Sequence, residues 1–139
     1  MRYPTGTKKR QVSKRLPLRT SNKYRAQKTV LNGLKFDSKV EARYYCQIQY
    51  QSGWTRQEHF DLIPKFKCGD KNYRKAVYTP DFIHRTNNEI DKVVDVKGGN
   101  VTLKDSAKLR MKLFMAKYGV PVTIAQYDYK NKSFNETQV

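Results

Sequence analysis

Cysteine is scarce in this chain. Two residues, Cys46 and Cys68, cannot build a multi-disulfide framework. Histidine is equally rare, and His59 and His84 lack the close paired spacing to the cysteines that a zinc site uses. No apolar run approaches the twenty residues a membrane-spanning helix requires. The start is basic like the first region of a signal peptide, but the apolar stretch that must follow is missing. Neither a GxxxxGK[ST] phosphate loop nor a GxSxG nucleophile turn occurs. These absences point to an intracellular protein with reduced thiols and no membrane partner, in the cytoplasm of a bacterial or infected host cell.

Acidic residues are the other shortage: 12 Asp and Glu stand against 29 Lys and Arg, a net charge of +17. Ten of the basic residues and none of the acids fall between Met1 and Val30. The remainder therefore keeps 19 basic against 12 acidic residues and is basic in its own right. Such a surplus favours a phosphate backbone as partner, with affinity that falls steeply as salt rises.

At 139 residues the chain fits one domain with a basic arm. Residues 1–28 show no apolar period and are interrupted by Pro4 and Pro17; a disordered arm is expected there, with Lys8, Lys9, Arg10, Lys14 and Arg15 available to a nucleic acid. The body is placed at 29–130 and a polar tail at 131–139. Asn32-Gly33 marks a tight turn in a short hairpin. A helix is expected from Ser38 to about Gln51, with Val40, Tyr44, Tyr45 and Ile48 as its apolar stripe and Gly53 as its stop. Ser38 and Glu41 have capping-box spacing. Glu41 therefore has two readings: a helix cap, or an acid that joins others around a metal.

Trp54 to Phe66 reads as one long or bent strand, followed by a basic turn around Gly69-Asp70 carrying Lys67, Lys71, Arg74 and Lys75. This turn either grips nucleic acid or protects a sheet edge. Ala76 to His84 and Ile90 to Lys97 read as an antiparallel pair turned at Asn87-Asn88. A helix from Leu103 to Tyr118 follows, ended by Gly119 and Pro121, with Leu109, Leu113 and Tyr118 widening its apolar side. Its other face presents Lys104, Lys108 and Lys112. Val120 to Tyr127 is the last strand.

The centre of this pattern is Tyr78-Thr-Pro-Asp81-Phe followed by Val93-Val-Asp95-Val-Lys97-Gly. Alternation along a strand turns Asp95 and Lys97 to one face and Val94 and Val96 to the other. Two carboxylates and an ammonium at the ends of neighbouring strands are costly to bury without a purpose. Asp81 and Asp95, with the Val96 backbone carbonyl in reach, are hard oxygen ligands suited to Mg2+ or Mn2+. Lys97 is placed to orient a water or neutralise a phosphate. The bland alternative is a surface salt bridge between Asp95 and Lys97. Gly98-Gly99 serves as a turn or presents amides to a phosphate, and some of the ten tyrosines are candidate base-stacking platforms.

These residues resemble the signature of the PD-(D/E)xK nuclease superfamily. Phe36-Asp-Ser-Lys-Val-Glu41-Ala, the Phe60-x-Leu-Ile-Pro64 segment and the late Lys-rich helix look like small phage-encoded members linked to endonucleases and Holliday junction resolvases. The resemblance spans roughly residues 30–127. It implies an α/β (α+β) fold of restriction-endonuclease type, with a mixed four-stranded sheet flanked by helices in αβββαβ order. It also implies Glu41, Asp81, Asp95 and Lys97 as catalytic residues, Asp81 and Asp95 as metal ligands with Glu41 as a further candidate, and Mg2+ or Mn2+ as cofactor. The activity implied is metal-dependent DNA hydrolysis, with branched DNA favoured and a homodimer expected if junctions are resolved symmetrically. A non-catalytic nucleic-acid-binding protein on the same fold is the alternative.

Overall fold

The computed structural model describes residues 28–100 and 102–139. The basic arm, with Lys8, Lys9, Arg10, Lys14 and Arg15, lies outside the described residues. The described residues open with a hairpin, β1 (Thr29–Leu31) and β2 (Leu34–Phe36), turned by Asn32 and Gly33. Both turn residues have positive φ, 50° and 77°, as a two-residue turn of this hand demands. Helix α1 (Lys39–Ile48) follows, capped by Ser38. Strand β3 (Trp54–Arg56) leads to three short paired pieces: β4 (Phe60–Ile63), the ribbon β5 (Phe66–Cys68) and β6 (Lys71–Tyr73), and β7 (Ala76–Tyr78). Then come β8 (Phe82–Thr86), β9 (Glu89–Gly98), α2 (Asp105–Tyr118), β10 (Val122–Asp128) and β11 (Ser133–Gln138).

The fold is mixed α+β. Its main sheet has five strands in the order β11-β10-β9-β8-β3, with β9 and β10 parallel and the other neighbours antiparallel. Alternation along the central strands gives the sheet two apolar faces. Val94, Val96 and Phe82 pack with Val40, Tyr44 and Ile48 of α1. Val93 and Ile83 pack with Met111 and Phe114 of α2, joined by Phe60 and Tyr78. The sheet is thus sandwiched between helices, and Val93, Asp95 and Lys97 of β9 belong to the α2 side.

Several expectations are corrected. The expected four-stranded sheet has a fifth strand, because residues 131–139 are not a tail: β11 pairs along the whole of β10, from Thr123 opposite Gln138 to Asp128 opposite Ser133. Only Phe134 of β11 is half-buried, against Tyr44 and Tyr127, so this edge strand carries little apolar signal. The segment from Trp54 to Phe66 is not one strand, since β3 pairs with β8 whereas β4 pairs with β7. The segment from Ala76 to His84 is likewise split at Thr79-Pro80, where buried Pro80 lacks the N–H a continuous ladder needs. Finally, Leu109 does not widen the apolar side of α2, because it is 57% exposed.

Gly53 does not directly end α1, whose C-cap is Gln49. It sits at φ 89° against β8, and a Cβ there would fall 2.5 Å from the Arg85 carbonyl oxygen. Only glycine fits this approach. At the other end of the molecule Gly119 closes α2 in the left-handed conformation, as expected, its N–H donating to the Met115 carbonyl. Among the described residues no helix is long and apolar enough to cross a membrane.

Candidate active site

The site is built where β8 and β9 begin to separate. Phe82 pairs with Val94, so the antiparallel register continued by one step sets Asp81 opposite Asp95. Pro80 breaks the ladder just before Asp81, and the Asp81 carbonyl turns outward to accept from the Gln57 N–H at 3.2 Å. The carboxylate is thereby left at an open strand end instead of inside a closed sheet. Asp81 Oδ2 accepts the Val96 N–H at 2.7 Å. The N–H and C=O of one strand residue face the same edge, which turns the Val96 carbonyl to the Asp81 side as well.

Asp95 is 6% exposed and lies on the α2 side with Lys97. Lys97 Nζ stands 3.5 Å from Asp95 Oδ1, and Tyr78 donates its hydroxyl to Asp95 Oδ2 at 2.6 Å. The ion pair of the bland alternative therefore forms, but along one strand in a largely buried corner, not across an exposed surface. A cavity of about 280 Å³ opens over it, lined by Tyr78, Asp95, Lys97, Ser106, Arg110 and Met111 among others. Arg110 is exposed and reaches this cavity from α2. Helix α2 is held in place by two bonds from its last turn, Lys117 Nζ and Tyr118 Oη, to the Asp61 carbonyl at the irregularity of β4.

Of the two readings of Glu41, the structure shows the helix cap. Its N–H donates to Ser38 Oγ at 3.2 Å, Ser38 donates back to Oε1 at 3.1 Å, and Oε2 accepts the Asp37 N–H at 3.2 Å. Ser38 makes the N-cap bond, and Glu41 reaches back to the N–H of Asp37, one residue before the cap. Glu41 is also 9% exposed, and its charge acts on Asp81 and on Lys97.

The electrostatics follow from this crowding. Burial pushes the Asp81 carboxyl well above its ordinary range, the charges of Asp95 and then Glu41 push it further, and the Val96 N–H and Lys97 only partly oppose them. Burial likewise raises Glu41, against the bonds from Ser38 and Asp37. The Tyr78 hydroxyl is held firmly protonated, by burial first and by Asp95 second, so it is a donor and not a base. Three carboxylates thus face one ammonium, and the corner has a deficit of positive charge.

A divalent cation fits that deficit. Among the described residues no three His, Cys, Asp or Glu side chains are grouped as a metal shell. Mg2+, however, is commonly bound by one or two carboxylates with waters and substrate phosphate completing its octahedron. Asp81 and Asp95 with the Val96 carbonyl match that donor set, whereas Glu41 is held in its cap.

Residues 21–134 match the model of a family described as "Protein of unknown function (DUF1064)". The chain belongs to the DUF1064 family. No curated protein and no solved structure matches it. The matched DUF1064 region contains Glu41, Asp81, Asp95, Lys97 and all of α2, so the whole corner belongs to the part of the chain that defines the family.

The expected nucleic-acid contacts divide. Lys67 and Lys71 lie on the exposed β5–β6 ribbon and Arg74 directly after it. Lys75 is instead paired with Asp61 at 3.0 Å. Lys108 and Lys112 are not brought to the carboxylates: they line a separate groove with Leu103, Ile124 and Val139. Lys104 is the N-cap residue of α2. Tyr78, Ser106 and Arg110 were missed from sequence. Tyr78 abuts the Pro-Asp motif and could have been found there; Arg110 shares helix spacing with Met111 and Phe114, so the sequence set it with the core-facing side instead of with the lysines.

Proposed function

We propose that this DUF1064 protein is a metal-dependent DNA endonuclease of PD-(D/E)xK type, acting on branched DNA such as four-way junctions. The observation that carries the reading is the juxtaposition of Asp81 with Asp95 and Lys97 at an open strand end, with Asp81 pushed toward protonation by burial and by the charges of Asp95 and Glu41. The order α1, β3, β8, β9, α2, β10, with its mixed sheet, supports it, since the superfamily resemblance implies the same αβββαβ sequence.

Asp81, Asp95 and the Val96 carbonyl would hold Mg2+ or Mn2+. When bound, such an ion polarises a phosphate and lowers the pKa of a water. The chain's own groups do the rest. Lys97 offers an ammonium to the nucleophilic water or to the charge that builds on the phosphate. Tyr78 fixes the rotamer of Asp95 through its hydroxyl, and Arg110 at the cavity wall supplies a forked donor for a phosphate. The basic surplus provides sequence-independent attraction to the backbone, which suits recognition of shape. Symmetric cutting of a junction would require two such sites, hence a twofold dimer.

A second reading, a nucleic-acid-binding protein without catalysis, is favoured by one observation. The aspartates are already satisfied by Tyr78 and Val96 without any third ligating side chain grouped with them. Cleavage of a four-way junction and of a matched linear duplex, in Mg2+, Mn2+ or EDTA, separates the two. Metal-dependent cutting by the wild type that is lost in Asp81→Asn and Lys97→Ala, with binding retained in Lys97→Ala, supports the nuclease. Tight binding with no cutting in any metal supports the second reading.

A further inference from the structure

The β5–β6 ribbon has no explanation in the core. Every residue of both strands is exposed, and the ribbon pairs with no other strand among those described. Its register sets Phe66 opposite Tyr73. The two rings stack at 4.8 Å and 10°, yet remain 47% and 45% exposed. An aromatic pair this open gains little from burial, and a purely protective hairpin would be served by polar residues. Lys65 and Lys67 flank Phe66, and Lys71 and Arg74 lie close to Tyr73. Cations around two parallel ring faces match a nucleic acid: phosphates meet the charges, and a base continues the stack.

The position is also informative. Tyr73 precedes Tyr78 by five residues, and Tyr78 holds Asp95. Five extended residues span at most about 17 Å, the rise of roughly five nucleotides along a duplex strand. A base on this platform therefore lies within a few nucleotides of a phosphate at the aspartates. In an intact duplex both faces of a base are already stacked. Only an unpaired or unstacked base has a face to give.

We infer that Phe66 and Tyr73 form a stacking platform for unpaired bases beside the cleavage site, and that the ribbon selects branched or gapped DNA over continuous duplex. This rests on the nucleic-acid partner of the reading above but not on catalysis. The test is binding in EDTA, by anisotropy, to a labelled duplex and to the same duplex carrying three unpaired nucleotides, with wild type, Phe66→Leu/Tyr73→Leu and Lys67→Ala/Lys71→Ala. Leucine keeps the apolar bulk and removes the ring faces. The wild type should prefer the DNA with unpaired bases. The leucine variant should bind that DNA tenfold or more weakly, one stacked base or more, and the intact duplex within about twofold of wild type. The lysine variant should lose affinity for both alike and show a shallower salt dependence.

Equal losses on both DNAs in the leucine variant, or no loss on either, would overturn the inference. So would wild-type self-association, seen in sedimentation and abolished by the leucine changes, which would make the patch a contact between copies. Selective loss in EDTA combined with no cutting in any metal would keep the platform and remove the nuclease.

Discussion

The hydrogen bond from Tyr78 to Asp95 gives the sharpest test of the site, because the molecule contains its own control. Tyr44 donates to Glu136 at 2.8 Å, from the opposite face of the sheet, while Tyr78 donates to Asp95 at 2.6 Å. Both phenols are buried and both acceptors are carboxylates. The surroundings of the acceptors differ. Asp95 has a side chain only 8% exposed, with Lys97 at 3.5 Å, whereas that of Glu136 is 35% exposed and paired with Lys92 at 2.6 Å. Removing a donor from a buried charged acceptor costs about 1.5–3 kcal/mol, and water can make good much of the loss at a partly exposed one, leaving about 0.5–1.5 kcal/mol. At roughly 3–5 °C per kcal/mol for a domain of this size, Tyr78→Phe should lower Tm by about 5–15 °C and Tyr44→Phe by no more than about 8 °C.

Stability alone would not identify a functional corner, so the second readout is decisive. Tyr78→Phe leaves Asp95 free to rotate, and a ligand that is not held in place binds metal more weakly. Loss of an outer partner of this kind typically costs 10–100-fold in metal affinity or activity. Titrating Mn2+ against junction cleavage should therefore give a midpoint shifted by at least about tenfold in Tyr78→Phe and unchanged in Tyr44→Phe. Paired thermal melts with and without Mn2+ supply the same comparison without turnover. Equal metal midpoints for the two variants would refute the assignment of Asp95 as a ligand positioned by Tyr78.

The other consequences are more direct. Asp81 is raised in the folded protein above its unfolded value, so its contribution to stability is full below about pH 4 and is lost as pH rises through the folded value. Asp81→Asn should consequently raise Tm relative to metal-free wild type at pH 7, with the difference shrinking toward pH 4; a difference independent of pH would contradict the raised carboxyl. Glu41→Ala should cost about 1 kcal/mol through the lost bonds to Ser38 and Asp37, read by urea unfolding, with a metal midpoint within about threefold of wild type; a tenfold shift would make Glu41 a ligand after all. Arg110→Ala should lower cleavage about 100–1,000-fold while leaving Tm nearly unchanged, since Arg110 is exposed; full activity would remove it from the site.

How much of this was legible depended on which force placed each residue. The capping box at Ser38, the Asn32-Gly33 and Asn87-Asn88 turns and the αL stop at Gly119 are set by local backbone chemistry, and each was readable. The faces of β9 were readable too, because a two-residue period carries through Val93 to Lys97. β11 was not, since an edge strand is held mainly by main-chain bonds, with Phe134 and Glu136 as its side-chain anchors, and Phe134 is the one apolar residue from Ser133 to Gln138. Pairing also defeated the reading where Pro80 hands the chain from β4 to β9, because which strand a short extended segment joins is a tertiary matter. The corner's main residues were found since they lie in two contiguous motifs. Arg110 arrives from a helix packed over the sheet, and only the packing of Met111 and Phe114 decides which of the many basic residues of α2 faces the cavity.

The composition of the chain strengthens the case that the corner was not assembled for stability. Acids are few here, and the only buried polar or charged residues among those described are Glu41 and Asp95. Both act on Asp81, whose own carboxyl is pushed up by burial and by their charges. A structural role would be met at lower cost by apolar residues of similar volume, which commonly match or exceed a buried ion pair in stability. Simple neutralisation was also available, in a protein with 29 basic residues, by placing a second cation among the carboxylates. Instead one ammonium, Lys97, stands against three carboxylates, while exposed Arg110 remains at the cavity wall. An arrangement that leaves three carboxylates against one ammonium in a +17 chain, with Asp95 at the cavity beside Lys97 and Arg110, is what the proposed nuclease would need to receive a divalent cation together with a phosphate. The expected signature is reciprocal: Mg2+ should raise Tm of the wild type at neutral pH and leave Asp81→Asn unmoved, and a wild type indifferent to millimolar Mg2+ and Mn2+ would argue that the carboxylates serve something other than metal.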